Sequence, residues 1–166
     1  MVSGMDPGIS AFINVIINGI QWITTALSTF WLGTVLGRKF MYMSSGIIMG
    51  GCCYLVAFGY IFSINMLILI PMITYVGIFG LLLAPVNWAY PAELLPPSKI
   101  IYAISVSWIG LAVTTIFPPI ITQAMDGNEY PTFLFFAIYT TISLIYMGLK
   151  LVENKGLNYK QTIEKY

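Results

Sequence analysis

The feature that most constrains this chain is where its charges are missing. Of its 166 residues only thirteen are charged, seven basic and six acidic. They leave uncharged runs at 7–37, 40–92, 100–125 and 130–149. A bilayer core takes about 20 apolar residues per helical crossing. The run 40–92 is too long for one span and breaks at Ser63-Ile64-Asn65. The charge map therefore predicts five spans, at about 11–34, 40–62, 66–90, 101–124 and 131–151. Helices are the open-chain solution in lipid, because every backbone group must bond within its own segment. The expected fold class is all-α: a polytopic membrane protein of five transmembrane helices. Residues 1–166 form one transmembrane domain, with 152–166 as an inner-side tail.

Composition agrees and excludes other classes. Charged residues make up 8% of the chain and apolar types 58%, against about 25% charged in a soluble domain. A net charge of +1 and the lack of a basic patch point away from nucleic acid. There is no histidine, which removes the usual metal ligand and the usual neutral-pH base. No nucleophile stands with a base, and no carboxylate pair lies inside a span. The glycine-rich Gly46–Gly51 stretch lies within a span and is no phosphate cradle. The sequence thus presents no catalytic, metal or cofactor site, and an enzyme is not expected. Cys52 and Cys53 are neighbours that point different ways on a helix, so they read as small core residues rather than a disulfide. The start, MVSGMDPGIS, lacks the basic region of a signal peptide.

The charges also orient the spans. Arg38 and Lys39 follow the first span and Lys99 the third; Lys150, Lys155, Lys160 and Lys165 follow the fifth. All seven basic residues fall on one face, while Asp6, Asp126 and Glu129 mark the other. This positive-inside pattern predicts a cytoplasmic or matrix-side C-terminus. The plasma membrane, an endomembrane or the mitochondrial inner membrane would fit equally. The tail mixes Glu153 and Glu164 with its lysines, which favours a solvated terminal helix over a lipid-binding arm.

Within the spans, polar residues form patterns. Asn14, Asn18, Gln21, Thr25 and Ser28 recur at steps of four and three, one stripe on a helix. Such a stripe lines a cavity or glues helices together, and the residues leave both readings open. Gly46 and Gly50 form a GxxxG that lets two backbones approach closely. Pro85, before Asn87 and Trp88, predicts a bend in the third span. Phe117-Pro118-Pro119 predicts a kink near the outer end of the fourth, where Ser105, Ser107, Trp108, Thr114 and Thr115 also lie.

These motifs, in this order, resemble the second half of a sugar porter of the major facilitator superfamily, its helices 8–12. Leu36-Gly37-Arg38-Lys39 is similar to the end of that family's D-R-x-G-R-R/K loop. Met49-Gly50-Gly51-Cys52 resembles a small-residue patch of the following helix. Residues 84–96, APVNWAYPAELLP, resemble G-P-x-P-W-x-Y-P-x-E-[IL]-F-P. Phe117-Pro118-Pro119 matches the end of helix eleven, and Val152–Leu157 resembles the closing P-E-T-K-G-L/R. The resemblance covers almost the whole chain. It implies an inner gate clamped by charges, here Arg38, Lys39, Glu93 and Lys99, and a substrate path between two helical halves that rock about a sugar. It also implies a path or interface containing Asn14, Asn18, Gln21, Thr25, Trp88, Ser107 and Trp108.

The sequence departs from that pattern in places. Thr34 and Val35 stand where the family has Asp and Arg, and Ser98 and Ile100 where arginines are usual. Asn87 replaces the second proline, and Ser107 and Leu111 occupy positions of helix-eleven asparagines. The helix-seven glutamine motif and the first half have no counterpart here. Three readings follow. A degenerate half-porter could serve as a non-catalytic structural or accessory subunit of a larger membrane complex, since five helices alone cannot perform alternating access. It could be a transport element of a split or dimeric sugar (hexose) transporter. It could be a fragment of a full-length one. Expected partners are membrane lipid, other membrane subunits or a second porter half over the polar face, and a sugar substrate; nucleic acid is not among them.

Overall fold

A computed structural model describes residues 7–32, 35–151 and Glu153. Every regular element among them is helical. Helix α1 (Pro7–Leu27) runs into a π turn, Ser28–Leu32. Helix α2 is Arg38–Phe62. Helix α3 (Asn65–Ile78) continues through a second π turn, Phe79–Leu83, into α4 (Ala84–Leu94). Helices α5 (Pro97–Ala124) and α6 (Tyr130–Lys150) complete the bundle. Since α3 and α4 are continuous, five helical segments are long and apolar enough to cross a membrane: Ala11–Phe30, Arg38–Phe62, Asn65–Glu93, Ser98–Ala124 and Tyr130–Lys150. The five-helix all-α class read from the charge map is the class observed. The proposed terminal helix at 154–166, with Lys155, Lys160, Glu164 and Lys165, lies outside the described residues, as do Val152, Asp6 and Thr34.

The breaks have local causes. Ser63 adopts the left-handed conformation (φ 55°), and the Ile64 N–H reaches back to the Gly59 carbonyl at 2.9 Å, closing α2. Leu95 is extended ahead of Pro96-Pro97, which ends α4. Asp126 and Gly127 both have positive φ (54° and 81°), which turns the chain from α5 into α6.

At both proline sites the chain stays helical. Around Pro85 the helix runs on, with the π turn Phe79–Leu83 ending just before it, so the N–H that Pro85 lacks falls where the ladder changes register. The helix does not break at Pro118-Pro119; α5 continues to Ala124. The prolines withdraw only their own two donors, and N–H groups further on still find helical acceptors, as Met125 does at the Ile121 carbonyl.

Packing is uneven. Helix α2 lies along both α6 and α3, and α1 lies against the second π turn. Lipid is as apolar as leucine, so close approach of backbones must hold α2 to α6. A Cβ at Gly46 would come within 3.1 Å of the Leu144 side chain, and one at Gly50 within 3.3 Å of Thr140. The GxxxG is thus the α2–α6 seam. Cys52 and Cys53 are buried, unbridged residues of the same helix. A core of Met41, Leu82 and Val86, flanked by Leu36, Ile78 and Tyr90, sits where α2 begins and α4 starts. Helix α5 stands almost apart, touching α6 near one end and α4 near the other.

Candidate gate and path residues

The basic end of the bundle gathers four of the chain's charges. The Arg38 guanidinium grips Glu93 through two donors, Nη2 to Oε1 at 2.9 Å and Nε to Oε2 at 3.5 Å. This is a fork-on-carboxylate geometry that a lysine could not reproduce. It joins the start of α2 to the end of α4. Both side chains are partly exposed, 18% for Arg38 and 37% for Glu93, so solvent screens the pair and its value lies in orientation more than in stability.

Glu153 supplies a contact that the sequence reading did not assign to it. Its two carboxylate oxygens accept the backbone N–H groups of Arg38 (2.9 Å) and Lys39 (3.0 Å). Helix α2 begins after Gly37, which has no side chain to cap it. A carboxylate from the far end of the chain takes over the capping role and meets the positive end of the helix dipole. Gly37 must be small here, because a Cβ would collide with that carboxylate, 2.9 Å from its carbon. The signal was available: a basic helix start with no capping residue needs an acceptor from elsewhere.

Among the described residues, neither Lys39 nor Lys99 forms an ion pair with Glu93 or Glu153. Lys39 donates from Nζ to the Gly148 carbonyl at 3.2 Å, covering an acceptor in the last turn of α6. Lys99 is exposed in the first turn of α5. Of the four expected gate charges, two therefore pair with each other, one caps a neighbouring helix and one faces outward.

The polar stripe of α1 divides by depth. Asn14 and Asn18 are exposed, and the Asn18 amide donates to the Asn14 carbonyl of its own helix at 2.7 Å. Gln21 and Thr25 are half-buried against the second π turn, and Ser28 is fully buried. Thr25 shares a cleft of about 580 Å³ with Trp88, Thr29, Arg38, Met41 and Pro85. The cleft lies between α1 and α4, just above the Arg38–Glu93 pair. Thr29 and Met41 line it without having been singled out from sequence; Thr29 falls one residue off the stripe, and Met41 reads as ordinary core.

Ser107 and Trp108 do not join that cleft. Both are exposed on α5, and the Ser107 hydroxyl donates to the Ala103 carbonyl at 3.0 Å. Ser105, Thr114 and Thr115 likewise bond carbonyls of their own helix. Self-bonded hydroxyls are satisfied in lipid without water or partner, so polarity alone does not mark α5 as a path. At the acidic end, Tyr60 donates its hydroxyl to Glu129 and stacks on Phe133. A second cleft there runs between Pro118, Thr122, Glu129 and Phe133. Among the described residues no group of histidine, cysteine, aspartate or glutamate is placed to hold a metal ion.

Comparison with known proteins fits this geometry. The profile of the family described as "Sugar (and other) transporter" matches residues 3–166. Sugar carrier protein A of Ricinus communis is 29% identical over 142 residues, covering 77% of this chain and 27% of that protein. Sugar transport protein 7 of Arabidopsis thaliana is 28% identical over 170 residues, covering 93% of this chain and 32% of that protein. The chain thus spans about a third or less of the relatives it matches. In structure it is similar to the major facilitator proton:xylose symporter XylE bound to 6-bromo-6-deoxy-D-glucose, with a TM-score of 0.84 over 99% of this chain and 36% of the symporter. At 16% identity that likeness is one of fold. With a matching profile along almost its entire length and a major facilitator fold, this chain belongs to the sugar (and other) transporter family.

Proposed function

We propose that the chain forms one wall of a sugar path across a membrane, together with the clamp that closes the path at its basic, cytoplasmic end. The observation that carries this reading is the Arg38–Glu93 fork beside the Glu153-capped start of α2. The fork holds the start of α2 against the end of α4, and Glu153 fixes that start by accepting two of its backbone N–H groups. The cleft directly above the fork, with Thr25, Thr29 and Trp88 on its wall, offers hydroxyls and an aromatic face of the kind a sugar ring binds. The family is a class of transporters rather than of enzymes, consistent with this assignment.

Five helices do not complete two rocking halves, so the chain works against a second set of helices facing α1 and α5. A direct test is uptake of labelled hexose into vesicles carrying the native particle. Asn18→Leu with Gln21→Leu should lower uptake while leaving the particle assembled. If the particle falls apart instead, the stripe is interhelical glue and the path does not run along α1.

The accessory-subunit reading retains one specific support. Ser107 and Leu111 stand where the resemblance places sugar-contacting asparagines, and Ser107 spends its hydroxyl on its own backbone. The mass and composition of the particle in mild detergent separates the two. A fixed-stoichiometry complex of unrelated subunits would favour the accessory role, and a small particle with a second helical half would favour transport.

A further inference from the structure

The cleft at the acidic end belongs neither to the fork nor to the path above it. It measures about 580 Å³ and lies between Pro118, Pro119 and Thr122 of α5 and Glu129, Thr132 and Phe133 at the start of α6. The Thr122 and Thr132 hydroxyls face each other at 3.3 Å. Glu129 is half-buried and accepts the Tyr60 hydroxyl through Oε2. Its other oxygen, Oε1, has no hydrogen-bond partner and no ion-pair partner among the described residues. The cause is the distribution of charge. Arg38 and Lys39 start α2, Lys99 starts α5 and Lys150 ends α6, so each stands at the far end of a helix that meets this cleft. At 1.5 Å per residue, Lys150 is about 30 Å from Glu129 along α6. A half-buried carboxylate with one free oxygen must find its counter-charge outside these helices.

The surroundings of Glu129 say what kind of cation fits. Phe133 stacks on Tyr60 with ring centroids 5.6 Å apart and planes at 18°, so an aromatic ring stands on the cleft wall beside the carboxylate. Two prolines form the opposite wall. A calcium ion takes six to eight oxygens, far more than one carboxylate and two paired hydroxyls supply. A carbon-bearing cation uses all three features: the charge, the ring face and the apolar prolines. We infer that this cleft binds an organic ammonium group, the chemistry shared by choline or ethanolamine phospholipid head groups and by free alkylammonium ions. Its charge meets Glu129 and the Phe133 ring, and its carbons lie on Pro118 and Pro119. The depth suits a lipid source, because the cleft lies at the ends of three spans. Further into the bilayer, Phe117 and Phe135 stack at 6.4 Å and are each 47% exposed, an apolar surface for an acyl chain. An occupant joins α5, whose most apolar stretch is unburied, to α6 and through Tyr60 to α2. The inference stands whether or not the chain carries sugar.

The test is thermal unfolding of the native particle after delipidation in detergent, since a ligand that binds the folded state raises the midpoint. The probes are phosphatidylcholine, phosphatidylglycerol with the same acyl chains, and choline chloride against equal sodium chloride. Phosphatidylcholine is expected to raise the midpoint and phosphatidylglycerol to do so far less. A rise with phosphatidylcholine but not choline chloride assigns the site to a lipid head group; a rise with choline chloride as well assigns it to ammonium ions in general. Glu129→Gln keeps an acceptor for Tyr60 and removes the charge. It should weaken the apparent affinity for the choline-bearing probe by about tenfold or more. Phe133→Leu keeps an apolar wall without the ring and should weaken it by about fivefold, which supplies the reading should Glu129→Gln not assemble. No response to either choline-bearing probe overturns the site. So does a response that phosphatidylglycerol matches without any effect of choline chloride, or one that survives both substitutions undiminished.

Discussion

Helices α2 and α5 are of similar length and similarly apolar, yet they live in different surroundings. In α2 half of the most apolar stretch is buried within the chain; in α5 none of it is. Helix α2 carries its glycines in register with α6, is capped by Glu153 and holds Arg38 against Glu93. Helix α5 turns its large apolar side chains outward, Ile101, Tyr102, Val106 and Ile109 among them, and folds its hydroxyls onto its own backbone. One helix is finished by the chain it belongs to. The other is stable as a helix but has almost nothing to pack on. In a bilayer both are permissible, since lipid solvates an apolar face as well as protein does.

The largest test of this contrast is at the α2–α6 seam. Gly46→Leu should destabilise the bundle by about 1–3 kcal/mol through overpacking against Leu144, read as a lower midpoint in detergent unfolding. A neutral outcome would mean that the seam is looser than its geometry.

Next comes the remote cap. Glu153→Gln keeps the shape but removes the charge facing the start of α2. A loss of about 1 kcal/mol is expected, with faster amide exchange at Arg38 and Lys39. Unchanged exchange there would detach Glu153 from the capping role.

The Arg38–Glu93 fork should be smaller still in stability. A double-mutant cycle with Arg38→Ala and Glu93→Ala is expected to return a coupling of about 0.5–1 kcal/mol, reduced by added salt because both groups reach solvent. A salt-independent coupling of several kcal/mol would mean that the pair is far more enclosed than described. The smallest effect belongs to α5. Leu111→Ala, at a 54% exposed position, should change the stability of the isolated chain by no more than about 0.5 kcal/mol. An effect as large as Gly46→Leu would break the contrast and show α5 packed in solution.

Much of this molecule was legible as a string. Spans are decided by local criteria in lipid: enough apolar residues to cross, charges only at the ends, and backbone bonds closed within the segment. Hence the five crossings, the turn at Ser63–Asn65 and the small-residue seam could be read directly. The cluster of charges at the basic end was legible in part. Arg38 and Glu93 were identifiable by motif and do meet, whereas Lys39 and Lys99 carried the same charge without the same contacts. The polar stripe was correctly placed on one helix, but its spacing could not show that its upper part is open and its lower part tucked under Gly80.

Tertiary structure alone decided the rest. Glu153 caps a helix that starts 115 residues earlier, a partnership no local window contains. The two π turns stand against each other where Gly80 seats on α1, a meeting of segments that no local window announces. Helix formation in a membrane is a property of each segment by itself. Which faces meet depends on contacts of a few ångströms between segments that lipid would solvate nearly as well, and periodicity carries no record of that choice.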